Sequence, residues 1–187
     1  MSFGGSKGSE DGQLLKPSGI TVDKNNTVYV VDRGNFRVQT FAEGVFQTKF
    51  GTKGSGNGQF EEPYDIAIDN FAEQVFVTNC KLDRIQAFNL EGNFISFYTK
   101  RGELGTMRCP NGITIDTDSF VLITECSGDK HHRVSIFSPQ FGQFITSFGD
   151  KGEDNCQLDW PFGIAVAKNS DVIVVEYEGR RILIFEL

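Results

Sequence analysis

The sequence predicts an all-β protein built from four copies of one structural unit, and three observations support this prediction. The phrases PSGITVD, PYDIAID, PNGITID and PFGIAVA begin with prolines that lie 46, 47 and 51 residues apart. Similarity at a regular spacing of this length is typical of repeat architectures. Short runs of alternating apolar and polar residues follow each phrase, as in half-buried strands. The 187 residues also include 18 phenylalanines and 21 glycines, a composition that favours strands and turns over long helices.

Each unit contains predicted strands separated by turn residues. The phrase that begins with proline is the first strand; VYVVD, VFVTN, VLITE and VIVVE form the second, and RVQTF, RIQAF, RVSIF and RILIF the third. FQTKFG, FISFY and FITSFG supply a fourth strand in three of the units. Four short antiparallel strands in a repeat of this length indicate the blade of a β-propeller. We therefore expect one array over residues 1–187, with repeats at about 12–51, 58–98, 105–149 and 156–187.

The long pattern that joins these phrases resembles the NHL repeat. In its first copy Asp32, Asn35, Arg37 and Val38 match the family pattern, and the other copies keep the arginine but differ elsewhere. The resemblance implies a β-propeller, usually of six blades, that recognises proteins or RNA. It also implies a place at the C-terminal end of a tripartite-motif protein. In such proteins a RING finger with B-boxes transfers ubiquitin, and the propeller selects the target.

The sequence leaves the closure of the ring open. The fourth unit stops after its third strand, close to Phe185, and residues 2–4 read like the end of a fourth strand. Those residues would close a ring of four blades if they completed the last one. They are too few for a full outer strand, however. Two arrangements therefore remain, a complete small ring or part of a larger one.

A recurring arginine begins the third strand of every unit and follows an acidic or amide side chain across one short loop. A carboxylate and a guanidinium in this arrangement can pair with each other and bind the loop backbone. Because the pattern recurs in every unit, we predict a structural role for it. The pairs are Asp32 with Arg37, Asn79 with Arg84, Glu125 with Arg133, and Glu176 with Arg181.

The sequence offers little for catalysis, so we expect this chain not to be an enzyme by itself and to need no cofactor or metal. Each loop acid has its own arginine, which would neutralise the carboxylate and repel a cation. His131 and His132 are the only two histidines and are adjacent, which excludes a zinc site of three histidines. The alternative class is a metal-dependent propeller hydrolase or lyase, in which the loop acids gather around a cation at the axis.

The loops between the second and third strands differ from unit to unit. Such divergence favours a ligand site, because identical loops serve the scaffold. In a propeller these loops lie on one face, together with the connections between blades. Cationic side chains and rings alternate across them, a combination that suits single-stranded RNA and also an acidic peptide. The predicted ligand-binding residues are Arg33, Phe36, Lys81, Lys130, His131, His132, Tyr177 and Arg180.

Charge and composition limit the partners and the location. The net charge is −7, whereas the four loops carry eight Lys or Arg against six Asp or Glu, so this face is not strongly basic. Protein partners are therefore favoured over single-stranded RNA. No run approaches the roughly 18 apolar residues of a membrane span, and we expect no membrane partner and a cytoplasmic location. The four cysteines lack C-x-x-C spacing and are predicted to be buried free thiols: Cys80, Cys109, Cys126 and Cys156.

Overall fold

The computed structural model describes residues 4–99, 106–128, 131–139 and 142–186, and it confirms the all-β fold. Four antiparallel sheets form the four blades of a β-propeller. Within the described residues the helical segments are two three-residue turns, η1 (Arg33–Asn35) and η2 (Cys80–Leu82). No helix in this part of the chain is long and apolar enough to cross a membrane.

The strands follow one another in chain order. Blade 1 consists of β1 (Pro17–Val22), β2 (Val28–Asp32), β3 (Arg37–Ala42) and β4 (Val45–Phe50). A short parallel pair, β5 (Thr52–Lys53) with β6 (Gln59–Phe60), lies in the connector to the next blade. Blade 2 consists of β7 (Pro63–Asp69), β8 (Gln74–Asn79), β9 (Arg84–Asn89) and β10 (Phe94–Tyr98).

The third and fourth blades continue the same order. Blade 3 consists of β11 (Pro110–Ile115), β12 (Val121–Ser127), β13 (His131–Phe137) and β14 (Phe144–Phe148). Blade 4 has three strands among the described residues, β15 (Pro161–Val166), β16 (Val172–Glu176) and β17 (Ile182–Phe185). Of the strand end predicted for residues 2–4, residues 2 and 3 lie outside the described residues, which begin at Gly4.

The inner strand of every blade has the same register against its neighbour. Ile20 pairs with Val30, Ile66 with Val77, Ile113 with Ile123, and Ile164 with Val174. Each inner strand also has an irregularity directly after its proline. Glycine at this irregularity lets neighbouring inner strands approach closely, since a Cβ added to Gly19 would lie 2.4 Å from Asp65 Oδ1.

Apolar side chains pack between blades, so each blade depends on its neighbours for a core. Ile66 and Phe88 of blade 2 pack against Tyr29 of blade 1. Equivalent clusters surround Ile113, between blades 2 and 3, and Val174, between blades 3 and 4. Stacking of this kind is what stabilises a repeat that cannot bury its faces alone.

The first and last blades each leave one apolar face exposed. Ile20 is 61% exposed and Ile66 only 3%, although both hold the same register position. The repeat predicts that all four isoleucines pack between blades, and this prediction is wrong for Ile20, because no described blade covers that face. On blade 4, Ile182 and Ile184 are 65% and 63% exposed.

Candidate functional site

A buried ion pair joins the β2–β3 loop of blade 1 to the connector that precedes this blade. Arg37 Nε donates to Asp32 Oδ2 at 2.8 Å, and another guanidinium nitrogen donates to the carbonyl oxygens of Glu10 and Gln13 at 2.9 and 3.1 Å. Asp32 Oδ1 accepts a hydrogen bond of 2.7 Å from the backbone N–H of Leu15. The side chain of Asp32 is fully buried and that of Arg37 is 8% exposed. The pair therefore joins the loop, the strand and the connector in one polar network.

Two further blades repeat this contact, and blade 2 does not. Arg133 donates to both Glu125 oxygens at 3.2 and 3.0 Å, and Arg181 Nε donates to Glu176 Oε2 at 2.6 Å. Arg84 instead binds connector carbonyl oxygens at 3.0 and 2.6 Å, and its buried Nε has no partner among the described residues. Burial lowers the pKa of the Arg84 guanidinium. All four arginines contact connector backbone, which supports the structural role that we propose for them.

Three of the loops end in a residue with a left-handed backbone. The φ angle is +56° at Phe36, +49° at Asp83 and +50° at Arg180, which are equivalent positions in blades 1, 2 and 4. This conformation is uncommon for residues other than glycine. It recurs although the side chains differ, so the scaffold fixes the loop backbone. The side chain at this position can therefore vary without changing the loop.

Three of the predicted ligand-binding residues meet in one cavity between blades 1 and 2. Arg33, Phe36 and Lys81 line a cavity of about 330 Å³ on the loop face, together with Glu61 and Glu62 of the connector. We call it the inter-blade cavity. Its volume is at the lower end of the range for small-molecule and side-chain sites, about 300–1,000 Å³.

Two cations at the inter-blade cavity lie over aromatic rings. The Arg33 guanidinium carbon is 4.8 Å from the centre of the Tyr64 ring, and Lys53 Nζ is 5.2 Å from the centre of the Phe36 ring. Cation–π contacts at exposed sites contribute about 0.5–1 kcal/mol each. The first of these contacts holds the Arg33 guanidinium at the boundary of the inter-blade cavity, which Arg33 also lines.

Lys81 is an exposed cation of this cavity. Its Nζ lies 3.9 Å from Glu61, and its side chain is 65% exposed. Ion pairs on the surface contribute at most about 1 kcal/mol. An acidic ligand can therefore replace Glu61 as the partner of Lys81 at little cost.

Of the remaining predicted ligand residues, those that the structure describes do not line this cavity. His132 cannot contact a ligand in this conformation, because the residue is only 1% exposed and its Nε2 forms a hydrogen bond of 2.9 Å with the Gly128 carbonyl oxygen. The long third loop is a hairpin in which the β12–β13 pairing continues to His131, which is half-buried. Lys130 lies outside the described residues. Tyr177 and Arg180 are exposed on the blade 4 loop.

The prediction of four buried free thiols is wrong for three cysteines. Cys80 and Cys109 form a disulfide that joins η2 to the start of blade 3. Cys156 is free and exposed, and only Cys126 is a buried free thiol. Spacing along the chain could not reveal the bond, because its two residues lie 29 positions apart and meet only where neighbouring blades pack.

Thiol counting tests this assignment. Burial raises the pKa of the Cys126 thiol to about 11, so very little thiolate forms at pH 8, whereas Cys156 is exposed. We expect one fast-reacting thiol per native chain without reductant and two after unfolding. Cys156→Ser should abolish the fast reaction. Four reactive thiols in the unfolded, unreduced chain would show that the disulfide is absent.

A second cavity, at the propeller axis, is not predicted by the sequence analysis. The inner strands of all four blades line it, and its volume is about 180 Å³. Asp65 lies in this axial cavity at the position that Gly19, Gly112 and Gly163 occupy in the other blades. The sequence does mark this position as unusual, since the second unit reads PYDI where the other three units read P-x-G-I. Among the described residues, the axial cavity included, no three His, Cys, Asp or Glu side chains gather closely enough to hold a metal ion.

Comparison with known proteins places these features in a family. The model of the NHL repeat matches residues 14–41. The chain is 31% identical over 147 residues to "Protein brain tumor" of Drosophila melanogaster and 27% identical over 179 residues to "B-box type zinc finger protein ncl-1" of Caenorhabditis elegans. A segment of 50 residues is 46% identical to "E3 ubiquitin-protein ligase TRIM71" of Bos taurus, covering 26% of this chain.

The matches cover only a small part of each relative. They cover 78% and 94% of this chain for the first two relatives, but only 13%, 20% and 6% of the three relatives' own lengths. Among solved structures, the "Nidogen/Laminin Complex" contains a similar fold, with a TM-score of 0.72 at 17% identity over 96% of this chain and 64% of that one. The recurring phrases, the four blades and the matched repeat together show that the chain belongs to the NHL-repeat family.

Proposed function

We propose that the chain is a macromolecular recognition module that binds protein partners through the inter-blade cavity. The observation that supports this proposal is the meeting of Arg33, Phe36 and Lys81 in one cavity on the loop face. A ring flanked by cations, with an accessible lysine at the edge, suits an acidic peptide segment that also presents an apolar side chain. The half-buried ring of Phe36 would supply apolar contact, and the cations would supply orientation.

The charge balance favours protein over nucleic acid as the partner. Three cations, Lys16, Arg33 and Lys81, and two carboxylates, Glu61 and Glu62, line the cavity, and the whole chain has a net charge of −7. The negative charge of the whole chain disfavours a polyanion, whereas a peptide with a few acidic groups can bind the cations and avoid the carboxylates.

Single-stranded RNA is the second candidate, and one observation favours it. Arg33 and Lys53 lie over the Tyr64 and Phe36 rings, so cations and aromatic surfaces alternate along this part of the face. Unpaired bases stack on such surfaces, and phosphates bind such cations. If RNA is the ligand, log affinity should fall against log salt with a slope of roughly −0.7 for each phosphate contact. A protein ligand should show a shallow salt dependence.

We also propose that this module selects targets for a larger protein with tripartite-motif organisation. This proposal rests on the relatives, one of which is named a B-box zinc finger protein and another an E3 ubiquitin-protein ligase. Ligase activity would then belong to another part of such a protein, and this chain would supply recognition in a cytoplasmic setting. Loss of the module should abolish ubiquitin transfer to the target and leave self-ubiquitination of the larger protein intact.

Site-specific photo-crosslinking in cells tests the proposed binding face. A photoreactive amino acid at Lys81 should give covalent adducts that protease removes and nuclease does not. A matched probe at Lys168, an exposed lysine in the β15–β16 turn of the opposite face, should give none of these adducts. Adducts that nuclease removes would instead establish RNA as the ligand. Equal yields from both positions would contradict a specific site on the loop face.

A further inference from the structure

The axial cavity contains a carboxylate without a counter-charge. Asp65 Oδ1 accepts a hydrogen bond of 2.9 Å from the Ile66 N–H, and Oδ2 accepts one of 3.1 Å from the Ile113 N–H. Within the described chain, no cationic side chain pairs with Asp65. An ionised carboxylate has about four acceptor positions, so two remain for a ligand.

The surroundings of Asp65 disfavour the charged form of its carboxyl group. Burial raises the pKa of the Asp65 carboxyl, and the two backbone hydrogen bonds offset this effect only in part. A partly buried carboxylate of this kind gains most from a positive charge brought to it. The three other inner strands bring no carboxylate into the cavity at this position, because each has glycine there. Asp65 is therefore a departure from the repeat, and its carboxylate also links blade 2 to blade 3 through the Ile113 N–H.

Aromatic side chains form part of the wall of the same cavity. The rings of Tyr64 and Phe162 meet edge to face, with their centres 5.8 Å apart, and Phe162 is 44% exposed. The faces of such rings attract a cation, and quaternary ammonium groups are a common ligand of aromatic sites. The volume of about 180 Å³ is below that of a site for a drug-sized molecule. The occupant is therefore a small group or the end of a side chain.

We propose that the axial cavity binds an alkylammonium group, with Asp65 as its counter-charge, the Phe162 ring as its cation–π surface and Tyr64 as a further part of the wall. The group can belong to a free small molecule or to the methylated lysine of a peptide. Both sources offer the same chemistry, a positive charge spread over apolar methyl groups. The axial cavity shares no lining residue with the inter-blade cavity, although Arg33 of the inter-blade cavity lies over the Tyr64 ring. The proposal does not depend on the function proposed for the inter-blade cavity.

Titration of the purified chain with matched ligands tests the proposal. Choline is compared with 3,3-dimethylbutan-1-ol, its neutral carbon counterpart of the same shape, by calorimetry and by the NMR signals of the aromatic rings. Choline should bind about tenfold more tightly than the alcohol, because only choline presents a charge to Asp65 and the rings. A peptide with trimethyllysine, set against its unmodified lysine form, distinguishes a side-chain ligand from a free one.

Two substitutions separate the charge from the ring contacts. Asp65→Gly installs the residue of the other three inner strands, so we expect a folded chain in which choline binding falls about tenfold while binding of the alcohol is unchanged. Phe162→Leu keeps an apolar wall but removes the π-face, and choline affinity should fall several-fold. Asp65→Asn replaces Asp65→Gly if the glycine variant does not fold. Lys168→Glu, in the β15–β16 turn, should leave choline binding unchanged.

Three results would overturn the proposal. The first is the absence of saturable binding by choline, tetramethylammonium and the trimethyllysine peptide. The second is equal affinity for choline and its neutral counterpart, and the third is unchanged choline binding in a folded Asp65→Gly chain. Each of these outcomes leaves the crosslinking test at Lys81 unaffected, so failure of the axial site and failure of the proposed function can be distinguished.

Discussion

Ile66→Ala should lower the free energy of unfolding by about 2–5 kcal/mol, the usual cost of truncating a buried isoleucine. Ile66 is 3% exposed in the cluster between blades 1 and 2, where it packs with Tyr29 and Val77. Each neighbouring blade is a hydrogen-bonded sheet, so the blades cannot move close enough to fill the space that the missing side chain leaves. Chemical denaturation followed by tryptophan fluorescence measures the change.

Ile20→Ala is the matched control for this prediction. Ile20 has the same register position in blade 1, but it is 61% exposed. Its loss should therefore cost about 0.5 kcal/mol or less, as for most surface positions. Equal losses at the two positions would mean that another blade or another copy covers Ile20 in solution. The exposed face of blade 1 would then not exist in the functional protein.

Arg37→Ala should lower the free energy of unfolding by about 3 kcal/mol. The substitution leaves Asp32 buried without its cation, and the loss of one partner from a buried ion pair costs about 3–5 kcal/mol. We expect the lower end of this range, because Leu15 and Gln39 still donate hydrogen bonds to the carboxylate. The connector would also lose its two hydrogen bonds from the guanidinium. Thermal and chemical denaturation both measure the effect.

Arg84→Ala provides the comparison, since Arg84 has the same place in blade 2 but forms no ion pair with any residue that the structure describes. Only hydrogen bonds to the connector are lost, so a cost of about 1–2 kcal/mol is expected. If Arg37→Ala leaves stability unchanged and abolishes partner binding, these arginines are ligand residues and the structural role is wrong. If the two substitutions cost the same, the ion pair contributes little beyond its contacts with the connector.

The repeats made most of the fold predictable from the sequence. The four phrases place the strands, and the register that they imply is observed at Ile66, Ile113 and Ile164. The alternation of apolar residues follows from strand geometry, because successive side chains point to opposite faces. An acid and an arginine five residues apart, as in Asp32 and Arg37, were also close enough in sequence for their contact to be foreseen.

Features that depend on the packing of one blade against another could not be predicted from the sequence. The bond between Cys80 and Cys109 joins neighbouring blades. The burial of His132 follows from its contacts with the connector of blade 4, where the backbone N–H of Trp160 donates to Nδ1 at 3.2 Å. Periodicity assigns a residue to a face, but it does not state what covers that face. The exposure of Ile20 is an example of this limit.

The axial cavity also could not be predicted from the sequence. Asp65 was visible as an exception within a recurring phrase, but the repeat alone gave no reason to treat an exception on the inner strand as a site. Only the convergence of four inner strands on one cavity brings Asp65 together with Phe162, which lies 97 positions away in the chain. Departures from a repeat are therefore most informative where the fold brings equivalent positions together.

The central claim, recognition through the inter-blade cavity, is tested most directly by the affinity of the crosslinked partner for two phenylalanine variants. Phe36→Ala should weaken binding by about tenfold or more, as for a ring at the centre of an interface, in a chain shown by its melting curve to be folded. Phe71→Ala, at a residue that is 95% exposed in the β7–β8 turn of the opposite face, should leave the affinity unchanged. An unchanged affinity for the folded Phe36→Ala chain, or a loss confined to Phe71→Ala, would contradict the account.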